Sequence, residues 1–185
     1  MAGAKESWNA QRFPDDYDAI MAIAPTNLRA HQYAGQVWYV QAVTNNPASW
    51  IPFEKFPAIK DAALAACDAI DGVQDGLIEN ARRSSFDPAA LLCSGADDLA
   101  CLTSPQVAAV KKIYTDASNP RTGKQIFPGL ERGSELAGWN IIAICGTAPD
   151  LQLCTGPTDP TLQAIEGTDF FRYFVFNDPN WNLHG

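Results

Sequence analysis

Apolar positions along the chain fall into a few distinct rhythms. Over 27–44 the side chains Leu28, Tyr33, Val37, Trp38 and Val40 recur at helical spacing until Asn45, Asn46 and Pro47 break the pattern, which predicts a helix. A second helix is predicted over 57–69, with Pro57 in its first turn and Ile59, Ala63, Ala66 and Ile70 along one face. A third spans 104–115, capped by Ser104, with Pro105 at its first position and Val107, Val110, Ile113 and Tyr114 as its apolar stripe. Leu162, Ile165, Phe170, Phe171 and Phe174 predict a fourth over 159–176, with Gly167 as its weak point. Upstream, 6–13 reads as the last turns of a helix stopped by Pro14, Asp15 and Asp16. The run YDAIMAIAP at 17–25 is apolar but for Asp18 near its start, which predicts a buried strand of an α/β sheet. FDPAALL reads as a short helical turn, and QIFPGLERG suggests a short hairpin on a loop-rich surface. One buried strand followed by helices and long loops does not close a doubly wound sheet, so the pattern reads as part of something larger.

A length of 185 residues favours one domain of ordinary size. Hydrophobic residues make up 46% and charged residues 18%, enough apolar material for a packed core. The formal charge of -8 and pI of about 4.6 repel phosphate backbones and anionic headgroups, so nucleic acid and membrane surfaces are not expected partners. The first twenty residues lack the apolar stretch of a secretory signal. Among five cysteines, the intervals Cys93 to Cys101 and Cys145 to Cys154 are short enough for local bridges, which would leave Cys67 alone. Five reduced cysteines in a cytosolic core are the alternative; the polar, turn-rich loops CSGADDLAC and CGTAPDLQLC favour an oxidising compartment.

The sharpest chemical feature is CDAIDGVQDGLIEN, where Asp68, Asp71 and Asp75 crowd the end of an alanine-rich helix and Glu79 follows. Carboxylates this close repel one another, and a helix C-terminus also disfavours negative charge, so a hard cation would relieve the arrangement. Calcium takes six to eight oxygens, and glycines at 72 and 76 would let the carbonyls of Val73 and Leu77 turn inward. The helix-loop-helix calcium motif fails here, because position twelve counted from Asp71 is Arg82. A solvated acidic turn is the plainer alternative. None of the serines has a glycine two positions before it, so no nucleophile elbow is present, and neither His31 nor His184 has a visible partner set.

In order, the strings AQRFPDDYDAIMAIAP, GQVWYVQA, KFPAIKDAALAACDAIDGVQDGLIENARRSSFDPAALLC, CLTSPQVAAVKKIY and GKQIFPGLERGSELAGW resemble the tannase and feruloyl esterase family of secreted serine esterases. The resemblance implies an α/β fold: over 1–26 a remnant of an α/β-hydrolase core, and over 27–185 a mainly helical, loop-rich lid domain holding a structural calcium ion. The implied ligands are Asp68, Asp71, Asp75 and the carbonyls of Val73 and Leu77. It implies a Cys93–Cys101 bridge, and it implies that a family bridge from Cys67 is missing, because Ser84 and Ser85 follow Arg82 and Arg83. Galloyl or feruloyl esters, including plant cell-wall esters, are the implied substrates and secretion the implied location. The family's Cys-Ser-Thr-Gly-Gly elbow belongs where this chain has MAGAKESWN, and the resemblance puts the catalytic Asp and His-Cys pair far downstream of the lid, so no catalytic residue is expected in these 185 residues.

Two readings follow. One is an esterase fragment made mainly of the lid. The other is a non-catalytic, calcium-stabilised module in which Trp38, Trp139 and Trp181 contribute to an aromatic surface, although core packing suits any one of them better.

Overall fold

The computed structural model describes residues 2–23, 27–146 and 150–184. Helix α1 (Ala2–Arg12) leads into a 3₁₀ turn at Pro14–Asp16, as Pro14 dictates. The expected strand does not form: residues 17–23 pair with no strand, and Tyr17, Met21 and Ile23 are exposed, Met21 by 80%. An all-apolar strand needs a neighbour on each side to satisfy its backbone and cover its faces, and no described strand lies beside this one. Residues 24–26, including Pro25, lie outside the described residues.

Helix α2 (Arg29–Thr44) forms where the periodicity places it and is the element around which the others pack. It buries Tyr39, Val40 and Val43. Trp38 Nε1 donates to the carbonyl oxygen of Lys112 at 3.0 Å, and the Lys112 ammonium lies 4.7 Å from the indole centroid. Burial pulls the pKa of Lys112 below its ordinary value.

Helix α3 (Phe56–Cys67) buries Phe56, Ile59, Ala63 and Cys67. Ala66, expected on that face, stands about 100° round the helix from Cys67 and is exposed. Ile70, also expected there, is 36% exposed because the chain tightens into a 3₁₀ turn at Asp68–Asp71 and rotates it outward. Helix α4 (Ser104–Tyr114) is capped one residue earlier than predicted, so that Ser104 is its first helical residue: Thr103 is the N-cap, and its N–H donates to Gln106 Oε1 at 3.0 Å. Pro105 therefore falls at the second helical position, which tolerates it equally.

The fourth predicted helix is two pieces. Helix α5 (Leu162–Asp169) is capped by Thr161 Oγ1, which accepts the Ala164 N–H at 3.0 Å, and a π-helix continues it over Phe170–Val175. At Gly167 a Cβ would stand 3.0 Å from Val37 Cγ2, so the residue that weakens the helical pattern is the one that lets α5 approach α2.

Two short antiparallel ladders complete the described structure. Strand β1 (Ala117–Ser118) pairs with β2 (Gln125–Phe127), and β3 (Ile144–Cys145) pairs with β4 (Gln152–Leu153). The QIF segment thus takes its partner from upstream rather than from LERG, since Pro128 interrupts the ladder directly after Phe127. At the centre of the core, Trp139 is fully buried and meets Phe56 and Tyr114 edge-on at 5.5 Å each. Bridges join Cys93 to Cys101 and Cys145 to Cys154, and Cys67 is a buried free thiol. No described helix is long and apolar enough to cross a membrane.

Candidate functional site

The acidic loop leaves α3 through the 3₁₀ turn and then turns twice, at Gly72 (φ 96°) and Gly76 (φ 81°), in the left-handed region that glycine enters without a steric penalty. Each aspartate accepts a backbone N–H. Asp71 Oδ1 takes that of Val73 at 2.8 Å, Asp75 Oδ1 that of Leu77 at 3.1 Å, and Asp68 Oδ2 that of Gly76 at 3.2 Å. Asp68 Oδ1 is buried with no hydrogen-bond partner. None of the three pairs with a Lys or Arg among the described residues. Their oxygens do not all converge: the described trio of such donors within 4.8 Å of one another is Cys93, Asp97 and Cys101, whose sulfurs are already bonded together. The loop therefore presents a hard-oxygen donor set with one orphaned buried oxygen, and Asp71 and Asp75 fold back onto their own backbone.

Among the described residues, neither histidine is hydrogen-bonded to a nucleophile. His31 Nδ1 is 3.0 Å from the carbonyl oxygen of Ile126, and His184 Nδ1 is 2.8 Å from Asn45 Oδ1. Two clefts have the volume of small-molecule sites. One, of about 530 Å³, lies between α2 and α5 and is lined by Val40, Thr44, Ile165, Arg172, Leu183 and His184, among others. The other, of about 590 Å³, lies between the acidic loop and Glu131–Ser134. Arg82 spans this region, with Nε 3.2 Å from Glu131 and Nη1 3.8 Å from Asp116.

The family model described as "Tannase and feruloyl esterase" matches residues 3–181. This chain belongs to the tannase and feruloyl esterase family. It is 46% identical over 122 residues to an uncharacterised esterase of Xanthomonas campestris pv. campestris, covering 66% of this chain and 21% of that protein. It is 29% identical over 185 residues to "Probable feruloyl esterase B-1" of Aspergillus fumigatus, covering 97% of this chain and 32% of that one. Two crystal structures from Aspergillus oryzae, of an esterase and of feruloyl esterase B, share its fold. Their TM-scores are 0.77 and 0.75, at 23% and 24% identity; each match covers 98% of this chain, and 33% or 34% of the other. The chain spans about a third or less of the length of these proteins.

Cys67 Sγ faces Ser84 Oγ inside the fold, at the place where the resemblance puts a missing bridge. The tryptophans divide as packing demands: Trp139 is core, Trp38 is half-buried beneath Lys112, and Trp181 is half-buried in an aromatic group with Phe171 and Phe176 at 5.3 and 5.5 Å.

Sequence reasoning missed two buried charged residues. Glu135 is fully buried and accepts from the Tyr114 hydroxyl at 2.5 Å and from the Gly133 N–H at 3.0 Å. Burial, and then the Glu135 charge, push the Tyr114 hydroxyl well above the ordinary tyrosine range. Lys55 is buried between Asp97 and Gln106. Both lie in strings that carry the family resemblance, but the side-chain partners that bury them, Tyr114 for Glu135 and Asp97 and Gln106 for Lys55, are more than twenty residues away, so no local pattern announces their burial.

Proposed function

We propose that this chain is the lid portion of a carboxylic ester hydrolase that cleaves phenolic esters of the feruloyl or galloyl type, plant cell-wall esters among them. The match along residues 3–181 carries the reading. The lid assignment is supported by the exposed apolar side chains Tyr173, Phe174 and Phe176 on the last helical segment, which suit a surface covered by a catalytic core. Two disulfides support an oxidising, extracellular location.

Within this portion, Asp68, Asp71 and Asp75 and the carbonyls of Val73 and Leu77 would hold a structural calcium ion. When bound, the ion supplies positive charge that offsets the crowded carboxylates. The orphaned Asp68 Oδ1 and the two left-handed glycines support this site. The chain's own residues supply the frame of such a site: α3 ends at Asp68, the turns at Gly72 and Gly76 return the Gly76 N–H to Asp68 Oδ2, and Asp71 and Asp75 would turn from their own backbone toward the ion.

Hydrolysis in such an esterase runs through an acyl-serine, with a histidine base and an oxyanion hole. No residue of this chain is assigned to those roles. The test is a chimera in which this chain replaces the corresponding third of a feruloyl esterase, assayed on methyl ferulate and methyl gallate beside the isolated chain. The reading expects turnover by the chimera and none by the isolated chain. A folded but inactive chimera, or turnover by the isolated chain, overturns it. A calcium-stabilised module without any catalytic partner, the second reading, is the outcome in the first of those cases.

A further inference from the structure

Lys55 is an unusual place for a positive charge. Its side chain is 3% exposed, and it is the N-cap residue of α3, the helix end at which the backbone dipole disfavours a cation. A buried ammonium requires both hydrogen bonds and a counter-charge. Gln106 Oε1, at 2.9 Å, supplies a hydrogen bond only. The counter-charge is the Asp97 carboxylate, which contacts Lys55 Nζ directly.

Asp97 belongs to no helix or strand. It sits in the middle of the Cys93–Cys101 loop, where residues 94–100 are all exposed, and it is itself 54% exposed. Two things hold this loop over Lys55: the disulfide, with Cys93 Sγ 3.9 Å from Asp97 Oδ1, and the hydrogen bonds at its base, from Cys93 N–H to the Leu102 oxygen at 2.9 Å and from Leu102 N–H to the Leu91 oxygen at 2.7 Å. Lys55 in turn reaches further elements through Gln106, which accepts the Thr103 N–H at the start of α4 and donates from Nε2 to the Trp50 carbonyl oxygen at 2.8 Å.

We infer that the Cys93–Cys101 bridge is a redox-dependent clamp that delivers Asp97 as the counter-ion of buried Lys55, so that reducing the bridge loosens the junction between α3 and α4. A dithiol reductant gives two electrons and two protons to the Cys93–Cys101 bond, leaving two thiols, and is itself oxidised to a disulfide. The opened loop recovers its conformational freedom, Asp97 leaves for water, and the Lys55 ammonium remains buried with Gln106 Oε1, a neutral acceptor, in place of its counter-charge.

The test uses the full chain with Cys93 and Cys101 both replaced by Ser, which spares the second bridge, with and without Lys55→Met. Removing the bridge lowers Tm by about 4 °C more when Lys55 is present than when Met replaces it. By linkage, Lys55→Met in the otherwise unaltered chain makes the Cys93–Cys101 bridge about tenfold easier to reduce with dithiothreitol, read by mass spectrometry of alkylated Cys93 and Cys101. Equal Tm losses in the two backgrounds, or an unchanged reduction equilibrium, overturn the inference and leave the bridge as a loop closure alone. If Lys55→Met does not fold, Asp97→Asn with the bridge intact takes its place. It then speeds hydrogen exchange at the Thr103 amide about tenfold, and unchanged exchange at that amide overturns the inference.

Discussion

Tyr39 carries its hydroxyl into the interior, where it donates to the carbonyl oxygen of Pro128. Burial first, and then the charges of Asp116 and Glu131, push its pKa from 10.0 up to about 12. A folded-state pKa above the unfolded one means that the stabilisation is complete below about pH 10 and is lost as the pH climbs toward about 12. Between about pH 9 and about pH 11 this group alone costs about 1 kcal/mol of stability, and Tyr39→Phe should flatten that part of the alkaline limb in urea unfolding. Asp71 bears on the proposed calcium ion. At a hundredfold excess over Kd, calcium should stabilise the folded chain by about 2.7 kcal/mol relative to chelator, and Asp71→Ala should erase the difference in melting temperature. A parent chain that melts identically with calcium and with chelator removes the ion from the account.

Elements end here for local reasons and meet for non-local ones. Helix α3 stops as the aspartates begin, and the chain then runs through the acidic loop and the 3₁₀ turn Ala81–Arg83 before Ser84 returns to Cys67. The two side chains are buried, in contact, and 17 positions apart in sequence. Ser84→Cys should therefore form a bridge with Cys67, visible as the loss of two protons in the intact mass. Closing that loop should raise stability by about 3 kcal/mol, provided the geometry closes without strain. Two free thiols in the oxidised variant would show that contact in the serine form does not extend to bonding distance for sulfur. The register of β1 on β2 follows similar reasoning: Pro128 ends the pairing after Phe127, and the bulge between Ala117 and Ser118 takes up the mismatch.

Across the molecule, charge and apolar exposure pull in opposite directions. The net charge of -8 keeps copies apart, while Phe174 at 81% exposure and Met21 at 80% offer apolar surface to any neighbour. Neither side chain supports the core, so Phe174→Ser combined with Met21→Ser should leave Tm within about 2 °C of the parent and reduce binding of a hydrophobic dye. A larger drop in Tm would show that these side chains hold the fold together. The aromatic group of Tyr33, Phe170 and Phe174, stacked at 4.5 and 5.8 Å, should keep its inner pair in either case.

Helices α2, α3 and α4 and both cysteine loops are legible along the chain because each depends on neighbours a few positions away: a 3.6-residue period, a proline in the first turn, or two cysteines close enough to meet across a short turn. The crowding of Asp68, Asp71 and Asp75 is equally local and equally legible. The segment at 17–23 is different. Its composition suits a strand, but a strand exists only through partners, and pairing is a property of the assembled fold. Nor does any local signal show that Lys55 and Glu135 are buried, that Thr103 rather than Ser104 caps α4, or that Gly167 stands against α2. Those outcomes rest on residues distant in sequence, whose distances and burial are set only when the elements pack, and short-range periodicity carries no record of that packing.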